Sequence, residues 1–414
     1  MTGRARRDVV VASGVLCLCL THCGQDVLVG IDNGTGTATD DGGGGGGGGG
    51  GGSGAEGDAG AILGDAGVAL EAALSTVRRL PGGSHVAAGM IGCVNEGSSC
   101  DGWLAAAAGG LVEEARLAAP GADLVRSLAL HGEDRVVAGL RTPGGVGSAW
   151  LSRRTSTGVV WDTSLSSDPS RPSDARAVGL APDGTLIVGG NELLDAAETG
   201  WVARVSADGQ VEERVRLGGT PSSSTTTVES IAVLDGSSRD LIFIGGKHRE
   251  VVDGGELTLP IVLELEADLS LSNSKSGIGI PNVTSGVVKT VLTDRPQEVT
   301  ACAQVDAGVG IARLYDYLSD VHATRVFTEP GLRIALGGCT VTDDGVLVVV
   351  GTLERPDGPR PWAAWVDRVS LEPRGTRIYE SERGRLEAVA PAVGSGALAV
   401  GSSGARPYFL AVTP

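Results

Sequence analysis

The chain has 414 residues, a net charge of −17, 67 glycines and only 3% aromatic residues. So acidic a protein repels nucleic acid and anionic membrane surfaces, and no stretch after residue 30 is apolar for long enough to be a transmembrane helix. Lysine is almost absent (Lys247, Lys275, Lys289), so the positive charge is carried by arginine.

Residues 1–22 read as a signal peptide. Arg4, Arg6 and Arg7 form the basic start, and Val9–Leu20 form an apolar run too short for a stable anchor. The run ends in Leu20-Thr21-His22-Cys23. This resembles the lipobox of bacterial lipoproteins, with His22 where a small residue is usual, and the resemblance implies lipidation at Cys23. With Gly24 after the cysteine, it further implies an outer-membrane destination in the cell envelope, facing periplasm or exterior. Residues 23–65 are then a tether. Gly42–Gly52 are consecutive glycines, and such a chain buries too little apolar surface to offset its ordering entropy. It is expected to be a disordered coil and not a phosphate loop, since no Lys-Ser/Thr follows the glycines.

Residues 66–414 repeat. The clearest unit, 173–219, reads as four short strands at 174–180, 185–189, 200–206 and 210–217. Pro182-Asp183-Gly184 and Asp208-Gly209 make the tight turns. An apolar pair followed by glycine recurs at Gly89, Gly139, Gly189, Gly245, Gly351 and Gly401, mostly 50 residues apart, and a degenerate unit places Cys302 in the gap. The third strand of each unit opens at Trp103, Trp150, Trp201, Ile261, Ile311, Trp365 and Phe409. The last unit lacks its fourth strand, and Gly67–Leu74 has the pattern to supply it. The expectation is an all-β, seven-bladed β-propeller of four-stranded blades, its ring closed by an N-terminal strand completing the last blade. The alternative, a pair of β-sandwiches, does not explain the period. The repeat resembles the delta-60 type of bacterial propeller repeat, best over 173–219; that family implies a fold and no particular activity.

Four cysteines follow the signal and Cys23. Cys93 and Cys100 flank a six-residue loop and are expected to form a local disulfide; Cys302 and Cys339 lie in adjacent units, either paired or as two buried thiols. His85, His131, His248 and His322 are scattered, and no spacing suits a metal, a cofactor or a nucleophile elbow. One set of inner-strand positions carries charge: Arg78, Arg126, Arg176, Glu229, Lys289, Gly337 and Glu387. Arg78, Arg126, Arg176 and Lys289 are candidates to hold a small anion, and the competing reading is that the glutamates pair with them and lock the blades. The loops joining second and third strands (90–102, 140–149, 246–260, 352–361) vary most. A binding or scaffold module for a protein, glycan or small anion is the expected function, tied to a membrane through the N-terminal lipid and with no nucleic acid partner. A hydrolase or lyase, and a purely structural envelope component, are the alternatives.

Overall fold

The computed structural model describes residues 72–414 apart from short segments at 93–99, 108–110, 118–122, 143–144, 219–223, 235–240, 253–254, 296–297, 316–317 and 405. The signal peptide, Cys23 and the glycine tether therefore lie outside the described residues.

Seven antiparallel sheets follow one another along the chain. Blade one is β1 (Ala72–Arg79), β2 (His85–Ile91), β3 (Asp101–Ala107) and β4 (Leu111–Leu117). Blade two is β5 (Asp123–His131), β6 (Asp134–Arg141), β7 (Ser148–Thr155) and β8 (Gly158–Ser164). Blade three is β9 (Ser173–Leu180), β10 (Leu186–Leu194), β11 (Ala197–Val205) and β12 (Val211–Arg216). Blade four has its inner strand in two pieces, β13 (Ser224–Thr226) and β14 (Ser230–Leu234), then β15 (Leu241–Val252), β16 (Gly255–Glu266) and β17 (Leu271–Ser276). Blade five is β18 (Gly286–Arg295), β19 (Glu298–Val305), β20 (Gly308–Tyr315) and β21 (Asp320–Phe327). Blade six is β22 (Arg333–Val341), β23 (Val346–Glu354), β24 (Arg360–Asp367) and β25 (Pro373–Ile378). Blade seven is β26 (Arg385–Pro391), β27 (Ala397–Ser403) and β28 (Arg406–Val412). Of the expected closing strand, 67–71 lie outside the described residues, and Ala72–Leu74 open the inner strand of blade one.

The core is a ring of seven apolar layers, each shared by two neighbouring blades. Successive side chains of a strand point to opposite faces, so each blade feeds two layers. In β2, Val86 and Ala88 pack toward blade two, while Ala87 and Ile91 pack toward blade seven. Burial on both faces is why the second and third strands read as unbroken apolar runs. The layer between blades seven and one joins Leu74, Val77 and Trp103 to Ala390, Val400 and Phe409, and this closes the ring.

One local device repeats. The inner strands of blades one, two, three, five, six and seven each carry a bulge at Ser75, Arg126, Arg176, Lys289, Gly337 and Glu387. Blade four breaks its inner strand at the same place, at Glu229. The bulge turns a carbonyl onto the second strand, where six of the seven blades leave room for it with glycine. A Cβ at Gly139 would stand 1.8 Å from Leu124 O, and one at Gly401 1.9 Å from Arg385 O. The bare glycine is then covered by an aromatic ring from the third strand, as in Gly89–Trp103, Gly139–Trp150, Gly190–Trp201, Gly351–Trp362 and Gly401–Tyr408.

This register corrects several sequence assignments. The glycines of blades three and four are Gly190 and Gly246, not Gly189 and Gly245. Blade five carries Ala303 there, not Cys302, and faces it with Gly310. Trp362 and Tyr408 take the places expected of Trp365 and Phe409. The segment 246–260, expected as a loop, is mostly the long hairpin of β15 and β16. The turns were read correctly: Gly184 and Gly209 both have φ of 87°, and Asp183 Oδ1 accepts the Thr185 amide at 2.8 Å.

Candidate binding sites along the channel

Inner strands surround the axis of a propeller, and each runs from the face that carries the second-to-third-strand hairpins (the upper face) to the face that carries the first turns (the lower face). The bulge residues lie toward the upper end and form one ring. They are Ser75, Arg126, Arg176, Glu229, Lys289, Gly337 and Glu387. Arg78 is not among them. It sits three residues further along β1, and Ser75 holds the equivalent place.

From blade two to blade five this ring is a chain of ion pairs. Arg126 Nε lies 3.5 Å and Arg176 Nε 2.7 Å from Asp174 Oδ2. Arg176 Nη1 reaches Glu229 Oε2 at 3.7 Å, and Lys289 Nζ reaches the same oxygen at 3.9 Å. A branch runs onto the hairpins: Arg176 Nη2 to Glu198 Oε1 at 3.8 Å, and Lys247 Nζ to Glu198 Oε2 at 3.5 Å. Burial raises the Asp174 pKa, Arg176 and Arg126 pull it back, and Glu229 and Glu198 push it up again. On the other side the ring carries one charge, Glu387, beside Ser75 and Gly337. Ser75 Oγ donates to Val125 O at 2.5 Å, and Gly337 is held so close to blade seven that a Cβ would meet Leu386 O at 2.2 Å. Of the four candidate anion ligands, three therefore pair with the carboxylates of Asp174, Glu229 and Glu198, as the blade-lock reading expects of Glu229. Glu387 is exposed.

Arg78 belongs to a second ring, three residues toward the lower face. Its register equivalents are Ala129, Gly179, Ala232, Leu292, Thr340 and Ala390.

Three further ion-pair groups were not legible in the sequence. In blade two, Arg141 Nη1 lies 2.9 Å from Asp162 Oδ2 and Nε 3.3 Å from buried Asp123 Oδ1, and its guanidinium stacks 4.3 Å from the Trp150 ring. In blade three, buried Glu192 takes Arg214 Nη2 at 2.9 Å and Arg216 Nε at 2.5 Å, with Arg214 4.6 Å from the Trp201 ring. In blade five, Arg313 Nε meets Glu298 Oε1 at 2.5 Å, both 2% exposed, and Arg313 Nη1 donates to Val369 O of blade six at 2.6 Å.

Cys302 and Cys339 form a disulfide, with Cα atoms 6.5 Å apart, that joins β19 of blade five to β22 of blade six. Cys100 is also disulfide-bonded. Its expected partner, Cys93, lies outside the described residues. At the seam, Arg79 Nη1 donates to Asp343 of blade six at 2.8 Å and to Ala392 O of blade seven at 3.3 Å, and His85 Nε2 donates to Pro391 O at 2.9 Å. Of the four histidines, His85 is thus a closure residue. His248 Nδ1 lies 2.9 Å from Thr226 Oγ1, and His322 stacks on Tyr315 at 5.2 Å.

The upper face is uneven. The hairpin of β15 and β16 runs twelve residues on each side, and the hairpin of β10 and β11 next to it runs nine. Val251 and Val252 on the first are 49% and 43% exposed, and Leu193 on the second is 41% exposed. The Lys247–Glu198 pair ties the two hairpins together.

No family model matches the chain, and no curated protein matches it. Among solved structures it is similar to Chaetomium thermophilum Sqt1, with a TM-score of 0.48, 12% identity, and 86% of this chain and 98% of that chain covered. It is similar to the same protein bound to the N-terminus of the ribosomal protein L10 (TM-score 0.48, 11% identity, 83% and 97% covered). It is also similar to the Dos1 propeller (TM-score 0.47, 9% identity, 83% and 92% covered). Likenesses of this grade leave ligand and activity open.

Proposed function

We propose that the protein is an exported, lipid-tethered binding module whose partner is a protein, engaged on the upper face of blades three and four, and that it is not an enzyme. The observation that carries this reading is the pair of raised hairpins. Leu193, Val251 and Val252 present apolar side chains beside Glu198, Lys247, Arg249 and Glu256, the apolar centre and charged rim of a protein contact surface. The buried carboxylates Glu192 and Glu298 are each held by arginine, as suits a rigid scaffold more than a site that trades protons. Export is supported by the disulfides, which persist in oxidising compartments, together with the lipobox-like Leu20–Cys23 and the delta-60-like repeat.

Cross-linking on cells of the source organism tests the reading. A cross-linked protein should appear with the wild type and with Arg126→Ala, and should vanish with Leu193→Ser/Val251→Ser/Val252→Ser. The same cross-links from all three proteins overturn it. Cys23→Ser should move the protein from the membrane fraction to the soluble one, and an unchanged distribution overturns the lipid tether.

A further inference from the structure

Arg126, Arg176 and Lys289 of the upper ring are each paired with a carboxylate, and Arg78, three residues further down the channel, is not. Its only hydrogen bond is from Nη1 to the carbonyl of the preceding residue, Val77, at 3.0 Å, and it makes no ion pair among the described residues. The neighbouring acid is already taken: Asp343 accepts both of its bonds from Arg79, at 2.8 and 2.9 Å. Around the ring that contains Arg78 the other six positions are Ala129, Gly179, Ala232, Leu292, Thr340 and Ala390. It is the one charge at that level, and four of the six others are alanine or glycine. Water reaches the side chain, while the protein on its remaining sides desolvates it and lowers its pKa with no carboxylate to offset the effect.

A guanidinium in such a place has its donors unspent. It offers a forked pair of N–H groups that matches a carboxylate, at a level of the channel where four of the other six inner-strand positions are alanine or glycine. A single positive charge in a chain of net charge −17 favours a monovalent anion over a phosphate dianion. We propose that Arg78 is the anchor of a binding site for the carboxylate of a small organic acid, at the lower end of the channel and formed by the inner strands of all seven blades. This site lies at the opposite end from the paired ring of Arg126, Arg176 and Lys289, and it stands or falls independently of the hairpin surface.

The test uses the full-length protein and three probes: propionate, succinate and inorganic phosphate. Saturation-transfer NMR reads binding of the two organic acids, and calorimetry reads all three. Propionate should bind, phosphate should bind at least about ten-fold more weakly, and Arg78→Met should weaken propionate by about ten-fold or more. Arg78→Lys keeps the charge but loses the fork, so it should fall between. Arg176→Met should bind propionate as the wild type does. Arg78→Met should also melt no earlier than the wild type, because it removes an unpaired charge. Equal binding by wild type and Arg78→Met overturns the proposal, as does an absence of carboxylate binding together with an earlier-melting Arg78→Met, which would make Arg78 a structural residue. Phosphate binding as tightly as propionate overturns the choice of carboxylate.

Discussion

Blades two and three solve one packing problem with opposite charges. In both, the second and fourth strands send charged side chains across the third, over a buried tryptophan. Blade two places the cation on the second strand and the anion on the fourth, as Arg141 and Asp162 over Trp150. Blade three reverses them, as Glu192 and Arg214 over Trp201. In register, Arg141 and Glu192 each lie two residues past the glycine that faces the tryptophan, and Asp162 and Arg214 each oppose the residue two past that tryptophan. Blades one and six put buried Ile91 and Leu353 at this place, so the fold does not require a charge there, but where it holds a pair either sign is accommodated. The third partner depends on the sign: buried Asp123 for the arginine, and Arg216 for the glutamate.

The polarity decides what is left behind when a pair is broken. Arg141→Ala strands Asp123, which is fully buried, and should cost about 3 kcal/mol in urea unfolding. Asp123→Asn in the same background should recover most of that loss. Glu192→Ala strands Arg214 and Arg216, but Arg216 is half exposed and both can turn to water, so about 1.5 kcal/mol is expected. Grafting the polarity of blade three onto blade two, by Arg141→Glu with Asp162→Arg, sets a glutamate against Asp123. That double variant should fall below the wild type, and adding Asp123→Ser, after Ser173 at the equivalent place, should bring it within about 1 kcal/mol. If the double variant alone matches the wild type, the third partner is immaterial.

The smallest effect is in pH. Burial raises the Asp123 pKa above its usual 3.8, although Arg141 opposes this. The cost of its charge is present at neutral pH and is relieved as pH falls through the raised folded value. For Glu192, burial alone would raise the pKa, but Arg216 and Arg214 bring it below its usual 4.5. Its stabilisation is present above pH 4.5 and is lost as pH falls through the lowered folded value. Acid should thus weaken the pair in blade three and favour the site in blade two. Glu192→Gln should flatten the acid limb of the stability curve and Asp123→Asn should steepen it. His85 adds a further acid term: burial lowers its pKa below 6.5, so its contribution is lost as pH falls below 6.5, where the unfolded chain takes up the proton first.

Period and turns were legible in the sequence because they are local. Asp-Gly turns carry their own backbone reason, and the apolar-pair-glycine signature marks the place where a bulge carbonyl crowds the second strand. The alignment found the bulge residue in six blades, from Arg126 to Glu387. It failed in blade one, because Ser75 gives no charge to align and Arg78 nearby does. It slipped by one at Gly189-Gly190 and Gly245-Gly246, where either glycine satisfies the pattern and only the carbonyls of Asp174 and Thr227 decide. It chose wrongly between Trp362 and Trp365, and between Tyr408 and Phe409, because both members of each pair are buried and the choice depends on which one faces a bare glycine. The pairs of Arg141 with Asp162 and of Glu192 with Arg214 and Arg216 were out of reach, since they join strands that are not neighbours in the sheet. The hairpin of β15 and β16 was read as a loop because its tip is polar on one side and apolar on the other.

The seam beside blade one has a consequence for biosynthesis. Every other joint links blades that are consecutive in the chain, so each can be made as soon as the next repeat is complete. The joint of His85 with Pro391, and of Arg79 with Ala392, spans 306 and 313 residues. Until Val400 and Phe409 emerge, Leu74, Val77 and Trp103 have no apolar layer to enter. During its synthesis the chain is thus an open arc with one raw end, sticky from the first blade to the last. A nascent chain halted before its last repeat is therefore the form in which this protein is most prone to aggregate.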